Sequence, residues 1–233
     1  MVESAHRVHV AVAHAEQGLA ASAGNPAHHS FVRSAIKMFQ VLPFVEGGGV
    51  DRFQLTGEEL ALCTALHGGE PIHVAAAHAI LAKAGVTGAA LACGPHLPLH
   101  DPSAAAMVAA GQPPGRIHNN CSGKHAGMLA HCVQQQWVID GYHRASHPMA
   151  ARHAHARPWR LIDANEMEHG LDGCALPTVA VALDTVAEGC ARFAAAAADA
   201  DPAPAAIVQA MVTHPEFVAG TGLIDTDLMR ASG

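Results

Sequence analysis

The run Asn119-Asn120-Cys121-Ser122-Gly123-Lys124-His125-Ala126-Gly127-Met128 constrains this chain more than any other. It places a thiol and an amine three residues apart where a helical pattern begins, and that pattern continues to Gln136. Asn119 or Asn120 can cap the helix, and Ser122 and Gly123 allow a tight turn into it. Residues at this spacing share a helix face, so Cys121 and Lys124 point toward one spot. A nearby cation and a helix N-terminus each favour the thiolate. The same spacing also fits a small buried cysteine beside a surface lysine, and nothing local decides between the two.

A second word, Arg33-Ser34-Ala35-Ile36-Lys37, is a Ser-x-x-Lys element followed by Met38, Phe39, Val41, Leu42, Phe44 and Val45. These apolar positions predict a helix with one buried face, with Ser34 and Lys37 side by side on its first turn. A neutral lysine there can take the serine proton, which makes Ser34 a candidate nucleophile and Lys37 its base. Lysine becomes a base near neutral pH only when burial lowers its pKa by several units. Arg33 can bind a substrate carboxylate through a bidentate pair or make a local surface ion pair. Glu70, next to two glycines, can hold a substrate ammonium or serve as a helix-start carboxylate. Asn119 and Asn120 can line a site or cap the helix, and His118 and His125 can support a metal ligand.

Taken together these words resemble the asparaginase II family, the type of the thermolabile rhizobial L-asparaginase. The resemblance runs through Val2-Glu3-Ser4, Arg33-Ser34-Ala35-Ile36-Lys37, Gly69-Glu70-Pro71, Ala92-Cys93-Gly94-Pro95-His96 and residues 119–129. It continues in Asp172-Gly173-Cys174-Ala175-Leu176-Pro177-Thr178 and His214-Pro215-Glu216-Phe217-Val218-Ala219-Gly220-Thr221-Gly222, and it weakens over residues 144–165. It implies one asparaginase II-like domain over residues 1–233, partial at its C-terminal end. The implied fold is α/β (α+β), of the serine β-lactamase and glutaminase type, with an antiparallel sheet flanked by helices. The implied reaction is hydrolysis of L-asparagine to L-aspartate and ammonia, with Ser34 and Lys37 in the active site. The family's metal site, reported as zinc, maps onto Cys121, Lys124 and Cys174. Lysine is an unusual zinc ligand because it binds as the neutral amine, and three such ligands leave one tetrahedral position open.

Two departures bear on activity. Before Gly69-Glu70 the family reads Ser-His-Ser, whereas this chain reads Leu66-His67-Gly68, so a catalytic hydroxyl is replaced by a leucine. The family also extends past the position of Gly233 with a second active-site lysine, so a truncated chain with impaired activity is an expectation. The rival expectation is a non-catalytic remnant that keeps the metal site. A β-lactamase or peptidase reading is disfavoured, because the Ser-Asp-Asn and Lys-Thr-Gly words of that group are absent.

Composition narrows the remaining classes. Half the residues are hydrophobic and 14% are charged, which opposes disorder. A net charge of −7, without a basic cluster, opposes a general nucleic-acid binder. No apolar run reaches membrane-spanning length, and the N-terminus lacks a basic start with an apolar stretch after it. Six cysteines in a chain of this length are not a disulfide framework, so a cytoplasmic location is expected, with Cys63, Cys93, Cys132 and Cys190 buried and reduced. His28-His29 and His153-Ala154-His155 lack partners at zinc-motif spacing. The expected partner is the small molecule L-asparagine, with a homodimer left open.

The remaining pattern predicts a hairpin from residues 7–13 and 18–22. It predicts a capping box at Thr56 and Glu59, and a helix from Glu70 or Pro71 to Gly85. Ser103 is expected to cap a short helix, Thr178 to open a short buried segment, and helices to follow from Asp184 and from Asp201-Pro202, the latter the last. Residues 149–161 do not read as an amphipathic helix, and Asp225, in a word shared with the family, is expected near the metal site.

Overall fold

A computed structural model describes residues 3–149 and 168–232. The expectations for residues 149–161 and for the His153/His155 pair fall outside these residues, except at Met149. Strands β1 (Val10–His14) and β2 (Gly18–Ala23) form the expected antiparallel hairpin, with an irregularity between Val12 and Ala13. The hairpin stands apart from the main sheet, in which β3 (His29–Phe31), β4 (Glu168–Leu171) and β5 (Pro177–Ala182) pair antiparallel in the order β3-β5-β4. The predicted buried segment at Thr178 is therefore the central strand, and Val181 in it is fully buried.

Between β3 and β4 lie α1 (Lys37–Glu46), α2 (Gly49–Phe53), α3 (Gly57–Cys63), α4 (Pro71–Lys83), α5 (Asp101–Ala109) and α6 (Ser122–Gln134). After β5 come α7 (Leu183–Ala198), α8 (Pro202–Thr213), α9 (Pro215–Val218) and α10 (Ile224–Ser232). The capping box forms: Thr56 Oγ1 accepts from the Glu59 amide, and a Glu59 carboxylate oxygen accepts from the Thr56 amide at 2.7 Å. Gly85, left-handed at φ +68°, ends α4 where the sequence places its stop. Ser103 is not a cap. Pro102 fits the first turn of α5 and the helix starts at Asp101, so Ser103 lies inside it and its hydroxyl bonds His100 Nδ1 at 2.8 Å. The helix from Pro202 is not the last, since α9 and α10 follow it.

Helix α6 is the centre of the helical body, packed by α1, α3 and α4. All its residues but Val133 are buried, its three basic side chains included. Two glycines let α3 approach. A Cβ on Gly123 would meet Leu62 Cγ at 2.4 Å, and one on Gly127 would meet Cys63 Sγ at 2.8 Å. Phe39, Leu42, Phe44, Leu62, Ile80, Leu81 and Leu129 fill the core around this contact. Among the described residues no helix is long and apolar enough to cross a membrane.

Candidate functional site

The chain enters α1 through a 3-10 turn, Arg33–Ile36, that starts from a left-handed residue: Arg33 has φ +46°. Ser34 therefore lies on the 3-10 turn, half-buried, and Lys37 is the first residue of α1 and almost wholly buried. The hydrogen bonds of the lysine go to groups other than the serine. Its ammonium donates to the Ala65 carbonyl and, at 3.4 Å, to Cys121 Sγ. Burial pulls the Lys37 amine down to about 8, with the Lys124 charge adding to the effect.

Cys121 occupies the N-cap of α6, one turn before Lys124, and Lys124 Nζ lies 3.3 Å from Cys174 Sγ. Cys174 comes from the turn between β4 and β5, where the Asp172 amide donates to the Leu176 carbonyl and Ala175 sits at φ +68°. The two thiols form a tight pair. A hydrogen bond from Cys174 holds the Cys121 thiol well below its ordinary value, with the Lys37 and Lys124 charges assisting. The same bond, with burial, raises Cys174. The two shifts run in opposite directions, Cys121 toward thiolate and Cys174 toward thiol. The structure brings the predicted metal set together and adds Lys37 to it.

Arg33 is tied elsewhere. Its Nε lies 3.1 Å from Asp172 Oδ1, with the arginine side chain 66% exposed, so the local ion-pair reading holds in this state. The pair links the Ser34 turn to the Cys174 turn. Asn119 serves structure: its Oδ1 accepts from the Cys121 amide at 2.9 Å and its Nδ2 donates to the Gly94 carbonyl at 2.7 Å. Asn120 meets His96 at 3.3 Å. Glu70 lies at the start of α4, and its two oxygens accept the Thr221 amide and hydroxyl, each at 2.8 Å. Burial pushes its carboxyl up, but the two Thr221 bonds outweigh this and hold it below the usual range. Asp225 is exposed on α10.

Sequence reading missed His67. Its ring is fully buried, bonds Ser122 Oγ at 3.1 Å, accepts the Gly69 amide and stacks on His73 at 4.9 Å. Burial keeps it neutral. The one signal in the sequence was its place between Leu66 and Gly68, ahead of Glu70. His118 bonds the Gly115 amide rather than a sulfur ligand. His125 is buried on α6, with Nδ1 against the Tyr142 hydroxyl at 2.5 Å. Burial pulls the ring down to about 4 and so keeps it neutral, against a smaller opposing pull from the nearby Cys174.

Among the described residues no three His, Cys, Asp or Glu side chains are arranged to hold a metal ion. Two thiols and a lysine are a different set, and their donor chemistry fits zinc. The 3.3 Å between Lys124 Nζ and Cys174 Sγ is close to the roughly 3.6 Å edge of a tetrahedral zinc site with sulfur and nitrogen ligands. Such a site needs a thiolate, toward which Cys121 is already shifted, and a lysine bound as the neutral amine. A family model described as L-asparaginase II matches residues 1–233, the whole chain. No curated protein matches it.

Proposed function

The chain belongs to the L-asparaginase II family, and we propose that it hydrolyses the side-chain amide of L-asparagine to L-aspartate and ammonia. The observation that supports this reading is convergence. Lys37 from α1, Cys121 and Lys124 from α6 and Cys174 from the β4–β5 turn meet in one buried cluster, although they are far apart in sequence. We read residues 1–233 as one domain of the serine β-lactamase and glutaminase type, in keeping with an antiparallel sheet beside a helical body.

Ser34 is the nucleophile in this reading. Its oxygen attacks the amide carbon, its proton passes to Lys37, and the lysine returns a proton to the departing ammonia. Water then cleaves the aspartyl ester and frees the serine. Lys37 suits this role because burial holds it at about 8, where an appreciable share is neutral near neutral pH. To act it must leave Cys121 and turn toward Ser34, a swing its four-carbon stem permits. Arg33 and Glu70 supply opposite charges for the α-carboxylate and α-ammonium, and Asn119 and Asn120 border the cluster. Cys121, Lys124 and Cys174 would hold zinc, which when bound polarises a carbonyl or a water. Leu66 offers no hydroxyl to relay the serine proton, so turnover is expected to be slower than at a complete site by at least about three orders of magnitude. The test is ammonia release from L-asparagine by the purified chain beside a Ser34→Ala control. Slow release that the control abolishes supports the reading. No release, or release that survives the control, overturns it.

A further inference from the structure

The run of residues 65–70 borders a second feature. A cavity of about 320 Å³ opens beside it, lined by Leu66 and Glu70, by Leu99 and His100 from the loop before α5, and by Thr221 and Leu223 from the loop before α10. The volume is at the low end of small-ligand pockets, ~300–1,000 Å³.

Two properties of the lining point to one ligand chemistry. The first is an anion with no lysine or arginine beside it. Glu70 is only 8% exposed, Thr221 donates to both its oxygens, and among the described residues the basic groups that act on it are the rings of His73 and His100. The loop is shaped for that carboxylate: a Cβ on Gly220 would stand 2.7 Å from Glu70 Oε1. Burial favours the neutral rings of His67, which also lines the cavity, and of His73, and His100 on the cavity wall bonds Ser103 Oγ through Nδ1 at 2.8 Å. Asp101 at the rim adds a second negative charge. The second property is an apolar wall left open. Leu66, Leu99 and Leu223 are 40%, 56% and 43% exposed, and all three border this one cavity. Covering such side chains removes apolar area from water, while a buried anion favours a cation that can reach it.

We propose that this cavity is a binding site for a primary alkylammonium, its cationic head against the Glu70 carboxylate and its short branched hydrocarbon tail among Leu66, Leu99 and Leu223. The proposal rests on the same Glu70–ammonium contact that the asparagine reading uses, and the two fail separately: a chain that binds the amine without releasing ammonia from asparagine loses the hydrolysis alone, and one that releases ammonia without binding the amine loses this site alone.

The test is calorimetric titration of the full chain with isoamylammonium, with the neutral isostere 3-methylbutan-1-ol and with methylammonium. Isoamylammonium binds, and each control, lacking the charge or the tail, binds at least about tenfold more weakly. Glu70→Gln, whose amide oxygen still accepts from Thr221, removes the preference for the amine over the alcohol. Leu99→Trp, at an exposed position that leaves the core untouched, fills the cavity and abolishes binding of both. Equal affinity for amine and alcohol, no saturable binding of isoamylammonium, or unchanged binding in the folded Leu99→Trp variant would each overturn the assignment. The last readout stands even if Glu70→Gln does not fold.

Discussion

Residues 65–70 border both the lysine–thiol cluster and the Glu70 cavity, and the two are completed differently. In the cluster every charge has a neighbour inside the protein. Lys37 meets the Ala65 carbonyl and Cys121, Cys121 is held by Cys174, and Cys174 is met by Lys124. The cavity leaves its carboxylate with the two Thr221 donors and two histidine rings but no lysine or arginine, and its leucines in the open. A closed network of buried charges fixes pKa values and geometry, because each group sets its neighbour's protonation. An open pocket lined by two carboxylates instead leaves favourable free energy to be gained by a ligand. The two regions contrast a network whose charges are met within the protein with a pocket whose wall is open.

The largest effect should come from removing the amine that closes the cluster. Lys37→Met keeps the bulk but leaves Cys121 and the Ala65 carbonyl without their donor, and Ser34-dependent ammonia release should fall by at least about a thousandfold. Circular dichroism of the same sample separates this from unfolding. A variant that retains turnover would erase the distinction drawn here. Next comes the metal. The chain purified without chelators should carry zinc, and Cys174→Ser should lower zinc affinity by more than the ~10–100-fold typical of losing an outer-shell partner, as read by elemental analysis after competition with a chelator. Full zinc retention in that variant would take Cys174 out of the ligand set.

A packing change tests whether the cluster depends on how closely α6 lies against α3. Gly123→Ala forces a Cβ into Leu62, and urea unfolding should show a loss of about 1–3 kcal/mol. An unchanged midpoint would mean that the helices separate at no cost. The smallest effect belongs to the cavity side. The Glu70 carboxyl is held below its ordinary value, so its contribution is complete above the unfolded pKa and is lost as pH falls through the folded one. Wild type should therefore exceed Glu70→Gln in stability near neutral pH by less than about 1 kcal/mol, after allowance for solvent screening. The gap should close in acid below the ordinary carboxylate range. Melting curves across that range decide it, and a gap that widens in acid reverses the sign.

Where the determinants were local, the sequence was legible. The Thr56/Glu59 capping box, the stop at Gly85 and the hairpin closed before Gly18 all formed, since each depends on residues a few positions apart. The gathering of Cys121, Lys124 and Cys174 was legible only through the resemblance, because no spacing rule joins residues 124 and 174. For the same reason the spacing of Ser34 and Lys37 did not foretell which groups the lysine bonds. A spacing of three shows which side chains can be neighbours, but the lysine turned to a thiolate 84 positions away, where a stronger partner stood. Arg33 carried no warning of its left-handed backbone. His67 and the cavity were hidden because three separate segments build that wall. Helices α9 and α10 were missed although Pro215 marked the first turn of α9.

The Arg33–Asp172 pair joins residues 139 positions apart, and β3 pairs with β5 across a similar span. The helices between them can collapse on short-range contacts, whereas this seam must close a loop of that length first. During synthesis Cys121 and Lys37 can emerge and meet well before Cys174 exists. The lysine–thiol cluster would then be completed in one late step, when the seam closes, and a chain stalled before it would hold a folded helical body with the cluster half assembled.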